Sequence, residues 1–372
     1  MDNPRKRLFL HVGHGKTGTS AIQAFLARTH EKLKERGYLY PYHPSFSKAL
    51  KGHISCGNVA VSPDSASWFE DIIEIVEEES AYHTFIFSGE SMFGDMDRVI
   101  DSFAAIREAV DLKIVMAVRN PLDMLSSEYQ QSVKRGGEII SYKLFLESRG
   151  FICGHTARAA ELVAVMESKG IPYELFNYSV IGRNIVAEFI SRIGLPVSYE
   201  PEEIGTVNRS LTGAELLMTR VINALLGRVV GMKITDALVN GIPSLKSESP
   251  LLDEKSRCEI EKNMLPHIQN LNKFLPADMP LSLEKPNQHI ISFSDVDFAL
   301  SDDQREVARR QLANSFYPKD AAQVLRSVAQ KYVTSEKITK QEAIALLRIA
   351  MKANPKSAKR IKIAIREMES RL

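Results

Sequence analysis

Read only for apolar and polar positions, the chain alternates short apolar runs with amphipathic stretches. Runs at 8–12, 84–88, 112–118 and 171–176 have the length and near-continuous apolarity of strands buried on both faces. Helical spacing fills the intervals. It marks 20–36, with Ile22, Phe25, Leu26 and Leu33 on one side, and 68–79, with Phe69, Ile72, Ile73 and Val76. Further helices are predicted over 101–109, from Asn120 onward, in SYKLFLESR, and over 156–169 and 185–193. Strands alternating with helices in this order predict an α/β fold, a doubly wound parallel sheet.

The rest of the chain reads differently. Gly37 breaks the first helix, and YLYPYHP opens an irregular stretch to about residue 67 that contains His43 and His53. Thr212 and Glu215 make a T-x-x-E capping box before an apolar-striped helix. Residues 233–290 are rich in Pro, Ser and Lys, with one helical piece at 258–271, and read as an insertion or lid. Ser301 and Gln304 box the start of a helix that runs to 313. From 338 the pattern becomes short helices: Thr339 and Glu342 cap one, and Asn354-Pro355 breaks it. The division predicted is a main domain over 1–330 and a helical C-terminal hairpin over 331–372, whose basic residues read as a solvated face.

The chemistry concentrates in LFLHVGHGKTGTSAIQAF, residues 8–25. A strand, a loop of glycines, lysine and hydroxyls, and a helix start aim backbone N–H groups and the positive end of a helix at one small volume. Lys16 adds a full charge, and Thr17, Thr19 and Ser20 add donors, so the stretch reads as an oxyanion cradle. It is not a Walker loop, because G-x4-G-K-[ST] would need a glycine at Leu10. Gly13, Gly15 and Gly18 do have G-x-G-x-x-G spacing, but lysine and hydroxyls crowd the turn where a pyrophosphate needs close backbone approach. A second constellation follows the strand at 112–118: Arg119 at its end, then N-P-L-D, with Ser127 eight residues beyond the arginine. Asn120 suits the N-cap, Pro121 the first helical position and Asp123 the first turn.

Lys16-Thr17-Gly18-Thr19-Ser20 after a strand, together with R-N-P-x-D-x-x-x-S-x-Y from Arg119, resembles the sulfotransferases that use 3′-phosphoadenosine 5′-phosphosulfate (PAPS), in a bacterial, carbohydrate-type form. The resemblance runs over about 7–225. It implies a P-loop-like sulfotransferase fold and a sulfuryl group passed from PAPS to an acceptor hydroxyl, leaving 3′,5′-diphosphoadenosine. It also implies that Gly15, Lys16, Thr17, Gly18, Thr19 and Ser20 hold the 5′-phosphosulfate and that Arg119 and Ser127 hold the 3′-phosphate. Lys16 would stabilise charge on the leaving oxygen. Arg209, in the N-R-S-L loop, would close over the nucleotide, or that loop would only shape a turn. Glu90, at the same sheet edge after the strand at 84–88, is the candidate base, with His53 as the other. The tryptophan that holds adenine in the small-molecule branch is replaced by Ala21.

The acceptor expected from the resemblance is an oligosaccharide or polysaccharide precursor, with lipids and phenols as alternatives. Two other classes stay open: a nucleotide-dependent kinase on a related loop, and a non-catalytic nucleotide-binding scaffold. A formal net charge of +2 gives no reason to expect nucleic acid or a membrane surface as partner. No apolar run reaches membrane-span length, no clustered carboxylates or histidines call for a metal, and three scattered cysteines fit a reducing compartment. A cytoplasmic enzyme is the expectation.

Overall fold

The computed structural model describes residues 5–51, 55, 57–59, 68–199, 209–246, 248–250, 252–284, 290–291 and 300–313, with isolated positions at 344, 348, 362, 363, 365 and 366. His53, Cys56, Asn208 and nearly all of 331–372 lie outside them.

Five parallel strands form one sheet in the order β2-β3-β1-β4-β5: β1 (Lys6–His11), β2 (Tyr38–Leu39), β3 (Thr84–Ser88), β4 (Val110–Val118) and β5 (Tyr173–Asn177). The central β1 pairs Leu8 with Phe85 on one side and with Leu112 on the other. Alternation places Phe9, Ile86, Val115, Ala117 and Phe176 on one face. There they meet Ile22, Phe25, Leu26 and Leu33 of α1 (Thr19–Lys34) and Ile185, Phe189 and Ile193 of α9 (Ile185–Ile193). Leu8, Leu10, Phe85, Phe87, Ile114 and Met116, of opposite parity, are equally buried, which is why these strands read as unbroken apolar runs.

All four predicted strands are present. β2 was not predicted, because two residues carry no periodicity; the turn at Gly37 places it. Gly37 has φ 78°, and a Cβ there would stand 2.6 Å from the His83 ring, so only glycine lets the chain turn beside β3. The helix expected over 101–109 is α4 (Met96–Ile106), five residues earlier, because a 3₁₀ turn at Glu90–Asp95 feeds directly into it. Also present are α2 (Phe46–Leu50), α3 (Trp68–Glu78), α5 (Pro121–Gln131), α6 (Tyr142–Ser148), α7 (Gly154–Lys169) and α8 (Tyr178–Ile181). Asn120 caps α5 as expected, its Oδ1 accepting from Leu122 N at 2.9 Å.

By contact density the chain forms two compact units. The first comprises Met1–Met124, Cys153–Val207 and Glu261–Glu284, and contains the sheet. The second comprises Leu125–Ile152, Asn208–Ile260 and Lys285–Leu372. In the second, α10 (Gly213–Leu226) and α11 (Arg228–Gly241) pack Met218, Ile222, Ile234 and Leu238 against Leu300 and Ala308, the latter on α13 (Asp302–Ala313). The capping boxes at Thr212 with Glu215 and at Ser301 with Gln304 are both formed. α11 differs from the expectation: it begins at Arg228, ahead of the insertion expected over 233–290, and runs to Gly241 within it. α12 (Glu254–Leu271) contains the helical piece expected at 258–271.

Arg209 requires a correction. Its guanidinium makes a bidentate pair with Glu215 at 2.7 and 2.8 Å, and its N–H groups also donate to the carbonyls of Ile242, Ser210 and Leu238. That uses the donor capacity of the fork, so none is left for a nucleotide, and Arg209 is an organising residue of the second unit. Glu215 is fully buried. Burial alone would raise its pKa, but hydrogen bonds from Arg209 and Thr212 outweigh that and hold it below the usual 4.5. The stability it contributes is complete above 4.5 and is lost as pH falls through the lower folded value. Glu215→Ala is expected to cost about 3–5 kcal/mol by stranding a buried guanidinium, measured by urea denaturation. Replacing both partners with apolar residues of similar volume is expected to recover most of it.

Candidate functional site

In an open parallel sheet, ligands bind beyond the strand ends where neighbouring strands send their connections in opposite directions. Here those neighbours are β1, whose chain continues toward β2 and β3, and β4, whose chain continues toward β5. The loop 12–18 follows β1 and Arg119 follows β4, so the two motifs singled out in the sequence flank this point.

The loop is held in a conformation the backbone disfavours. Lys16 has φ 74°, in the left-handed region that costs a non-glycine residue about 1–2 kcal/mol. Two hydrogen bonds hold it there. Arg119 Nη1 donates to the Lys16 carbonyl at 2.9 Å, and Thr17 Oγ1 donates to the His14 carbonyl at 2.7 Å. With its carbonyls tied down, the loop runs into α1 through Gly18, whose φ is 82° and whose Cβ would meet Ile185 and Tyr178 at 3.0 Å. No side chain caps α1 and no acidic residue occupies its first turn, so its positive end is open to an anion.

The floor of the loop is neutral. His11 Nδ1 lies 2.8 Å from Ser88 Oγ, Gln23 Nε2 donates to that same oxygen at 3.3 Å, and Ser55 Oγ donates to Gln23 Oε1 at 2.6 Å. Ser88 Oγ accepts from Gln23 and shares a further hydrogen bond with His11 Nδ1. Desolvation lowers the His11 pKa to about 3, so the ring is uncharged. His11 Nε2 and Thr19 Oγ1 are buried without partners among the described residues. They stand 3.0 and 2.8 Å from where a Cβ on Gly13 would be, so Gly13 is the residue that leaves room for them.

Glu90 closes the lip. The 3₁₀ turn after β3 carries its carboxylate over the loop, where Oε2 would lie 3.4 Å from a Cβ on Gly15. Glu90 is exposed to solvent at this lip. Partial desolvation raises its pKa above 4.5, while Lys16 and His155 pull it down. His155, in the first turn of α7, stacks at a tilt on His14 at 5.1 Å and on Phe93 at 5.9 Å between ring centres. His14 is buried and its pKa falls to about 3, first through desolvation and then through the His155 charge.

The structure thus brings Gly15, Lys16, Gly18, Thr19, Ser20, Arg119 and Glu90 to one sheet edge. Thr17 spends its hydroxyl proton inside the loop, which corrects the expectation that it adds a donor for a ligand. Ser127 is half-buried on α5, the helix that begins just after Arg119. Neither Arg209, spent in its ion pair, nor His53, outside the described residues, joins the group. His11, His14 and His155 were not anticipated. The first two could have been noticed as polar residues at the end of an apolar strand, whereas nothing near His155 announces its neighbours.

Among the described residues no group of three or more His, Cys, Asp or Glu is arranged to hold a metal ion, and no helix is long and apolar enough to cross a membrane. Comparison with protein families, with curated proteins and with solved structures returned no match.

The cost of the Lys16 conformation is measurable. Lys16→Gly and Lys16→Ala both remove the ammonium, but only glycine relaxes the left-handed backbone; urea denaturation is expected to find Lys16→Gly more stable than Lys16→Ala by about 1 kcal/mol.

Proposed function

We propose that this chain is a PAPS-dependent sulfotransferase acting on a hydroxyl, with a saccharide as acceptor. The observation that carries this reading is the 2.9 Å hydrogen bond from Arg119 to the Lys16 carbonyl. It joins into one site the two distant motifs on which the resemblance to these enzymes rests. The residues present suit a phosphosulfate. Lys16 supplies a cation, Thr19 and Ser20 sit at the uncapped start of α1, and the Thr19 hydroxyl and His11 Nε2, both without a partner among the described residues, line the floor.

PAPS, when bound, supplies the activated sulfuryl group. Lys16, held at the loop's strained position, can meet negative charge that grows on a leaving oxygen, and a cation fixed in place does so without reorganising. Glu90 can hold the proton given up by an acceptor hydroxyl. Desolvation raises its pKa, which strengthens it as a base. Arg119, besides fixing the loop, has a planar fork suited to a phosphate, and its guanidinium lies over the Tyr178 ring at 5.3 Å. The saccharide assignment rests on the carboxylate base candidate and on the K-T-G-T-S-x-I-Q form of the loop.

Calorimetric titration with 3′,5′-diphosphoadenosine and with adenosine 5′-monophosphate isolates the 3′-phosphate. The expected result is a preference for the diphosphate of roughly 10- to 100-fold, which shrinks in Arg119→Ala. Equal affinity for the two nucleotides, or tighter binding of ATP with Mg²⁺, would overturn the proposal and favour phosphoryl transfer. Glu90→Gln is expected to keep diphosphate binding and to lose turnover by roughly 100-fold or more, read as transfer of radiolabelled sulfate to screened glycans.

A further inference from the structure

We infer that Asn58 is a positioning residue of this site: its side-chain amide takes the place of a strand beside the end of β3 and so fixes the turn that carries Glu90 over the cradle. The role of Glu90 as base rests on the sulfotransferase reading, whereas the clamp rests on hydrogen bonds alone. β2 pairs with β3 through Tyr38 with Thr84 and Leu39 with Phe85, and stops short of Ile86, Phe87 and Ser88. Asn58 takes up the backbone groups beyond that point. Its Nδ2 donates to the Ile86 carbonyl at 3.0 Å, and its Oδ1 accepts from Ser88 N at 2.7 Å. A residue in a parallel ladder makes the same two bonds with its own peptide groups, to the carbonyl before its partner and from the N–H after it. The partners leave one orientation for the amide, because a carbonyl only accepts and a backbone N–H only donates. Asn58 N adds a third bond, to the Ser88 carbonyl at 3.0 Å, and on the other edge Gly89 N donates to the His11 carbonyl at 3.2 Å. The chain is thus pinned from both sides at the two residues before Glu90.

The residues around Asn58 permit this close approach. Gly57 has φ 80°, and a Cβ on it would lie 1.7 Å from the Ser88 carbonyl oxygen, so any side chain at 57 would push the segment off β3. Ser55 anchors the same segment to α1: its Oγ donates to Gln23 Oε1 at 2.6 Å, and Gln23 Nε2 donates to Ser88 Oγ at 3.3 Å. Gln23 is fully buried one turn into the helix whose start forms the cradle. A base must stand within hydrogen-bond reach of the proton it takes, and only Gly89 separates Glu90 from the clamped Ser88. Without the Asn58 amide, the Ser88 N–H and the Ile86 carbonyl lose these partners, and the Glu90 turn is held through the β1 side. The carboxylate can then drift from Gly15, while the bond that ties Arg119 to the Lys16 carbonyl is untouched. Anion binding and proton removal are therefore separable in this site.

The experiment is amide hydrogen exchange on the full chain, compared at Ser88 and at Leu10 of β1, together with turnover read as release of radiolabelled sulfate from PAPS with water as acceptor. Asn58→Ala is expected to speed exchange at Ser88 roughly tenfold more than at Leu10. It is also expected to lower kcat by roughly 10- to 100-fold and to leave affinity for 3′,5′-diphosphoadenosine unchanged. In the Glu90→Gln background the same substitution is expected to cause no further loss, because a residue that acts through Glu90 then has nothing to position. Asn58→Asp, which keeps the acceptor for Ser88 and loses the donor to Ile86, serves if the alanine variant does not fold. Equal acceleration at Ser88 and Leu10, a loss of nucleotide affinity in step with kcat, or the full loss repeated in the Glu90→Gln background would each overturn the positioning role. If the wild-type chain binds no diphosphoadenosine, the sulfotransferase reading fails, while the exchange pattern still decides whether Asn58 clamps the end of β3.

Discussion

The site depends on one strained residue. Lys16 stands in a left-handed conformation between Gly15 and Thr17, and the loop keeps that shape because Arg119 and Thr17 donate to the Lys16 and His14 carbonyls. The consequence runs outward. Because the carbonyls point into the protein, the N–H groups around the start of α1 are left for a ligand. Because Arg119 ends β4, the two strands at the switch point of the sheet are tied through their loops. Strain stored here is balanced by the core beneath, where β1 is buried on both faces and cannot shift to relieve it.

The neutral floor is a separate design element. A charged histidine below the loop would strengthen anion binding, yet His11 and His14 both lie where imidazolium is too costly to form. The chain of Ser55, Gln23 and Ser88 instead holds the His11 ring in place without a charge. Among the described residues of the site, the charged side chains are Lys16, Arg119 and Glu90, at the rim rather than in the floor.

Much of the fold was legible because long apolar runs and capping residues act locally. The four long strands, the Asn120 cap and the boxes at Thr212 and Ser301 each depend on residues within a few positions of one another. β2 and α11 were missed for opposite reasons: the first is too short to show a period, and the second contains Gly231 and runs across position 233, where the sequence begins to read as a lid. In the site, the loop and Arg119 were legible from spacing. Arg209 misled, because an arginine after an asparagine in a loop looks the same whether it meets a phosphate or a glutamate six residues on. Only the buried Glu215 distinguishes the two. His155 was invisible, since its neighbours come from a turn and a loop far away in the chain.

Proton linkage at the buried histidines extends the loop's influence to the stability of the whole fold. Unfolded, each ring takes up a proton near pH 6.5; folded, His11 and His14 resist it down to about 3. As pH falls through that interval the unfolded chain gains protons the native state cannot, and stability drains away before most carboxylates have titrated. The same burial that keeps the floor of the loop uncharged therefore couples its two histidines to the fall in stability over that interval.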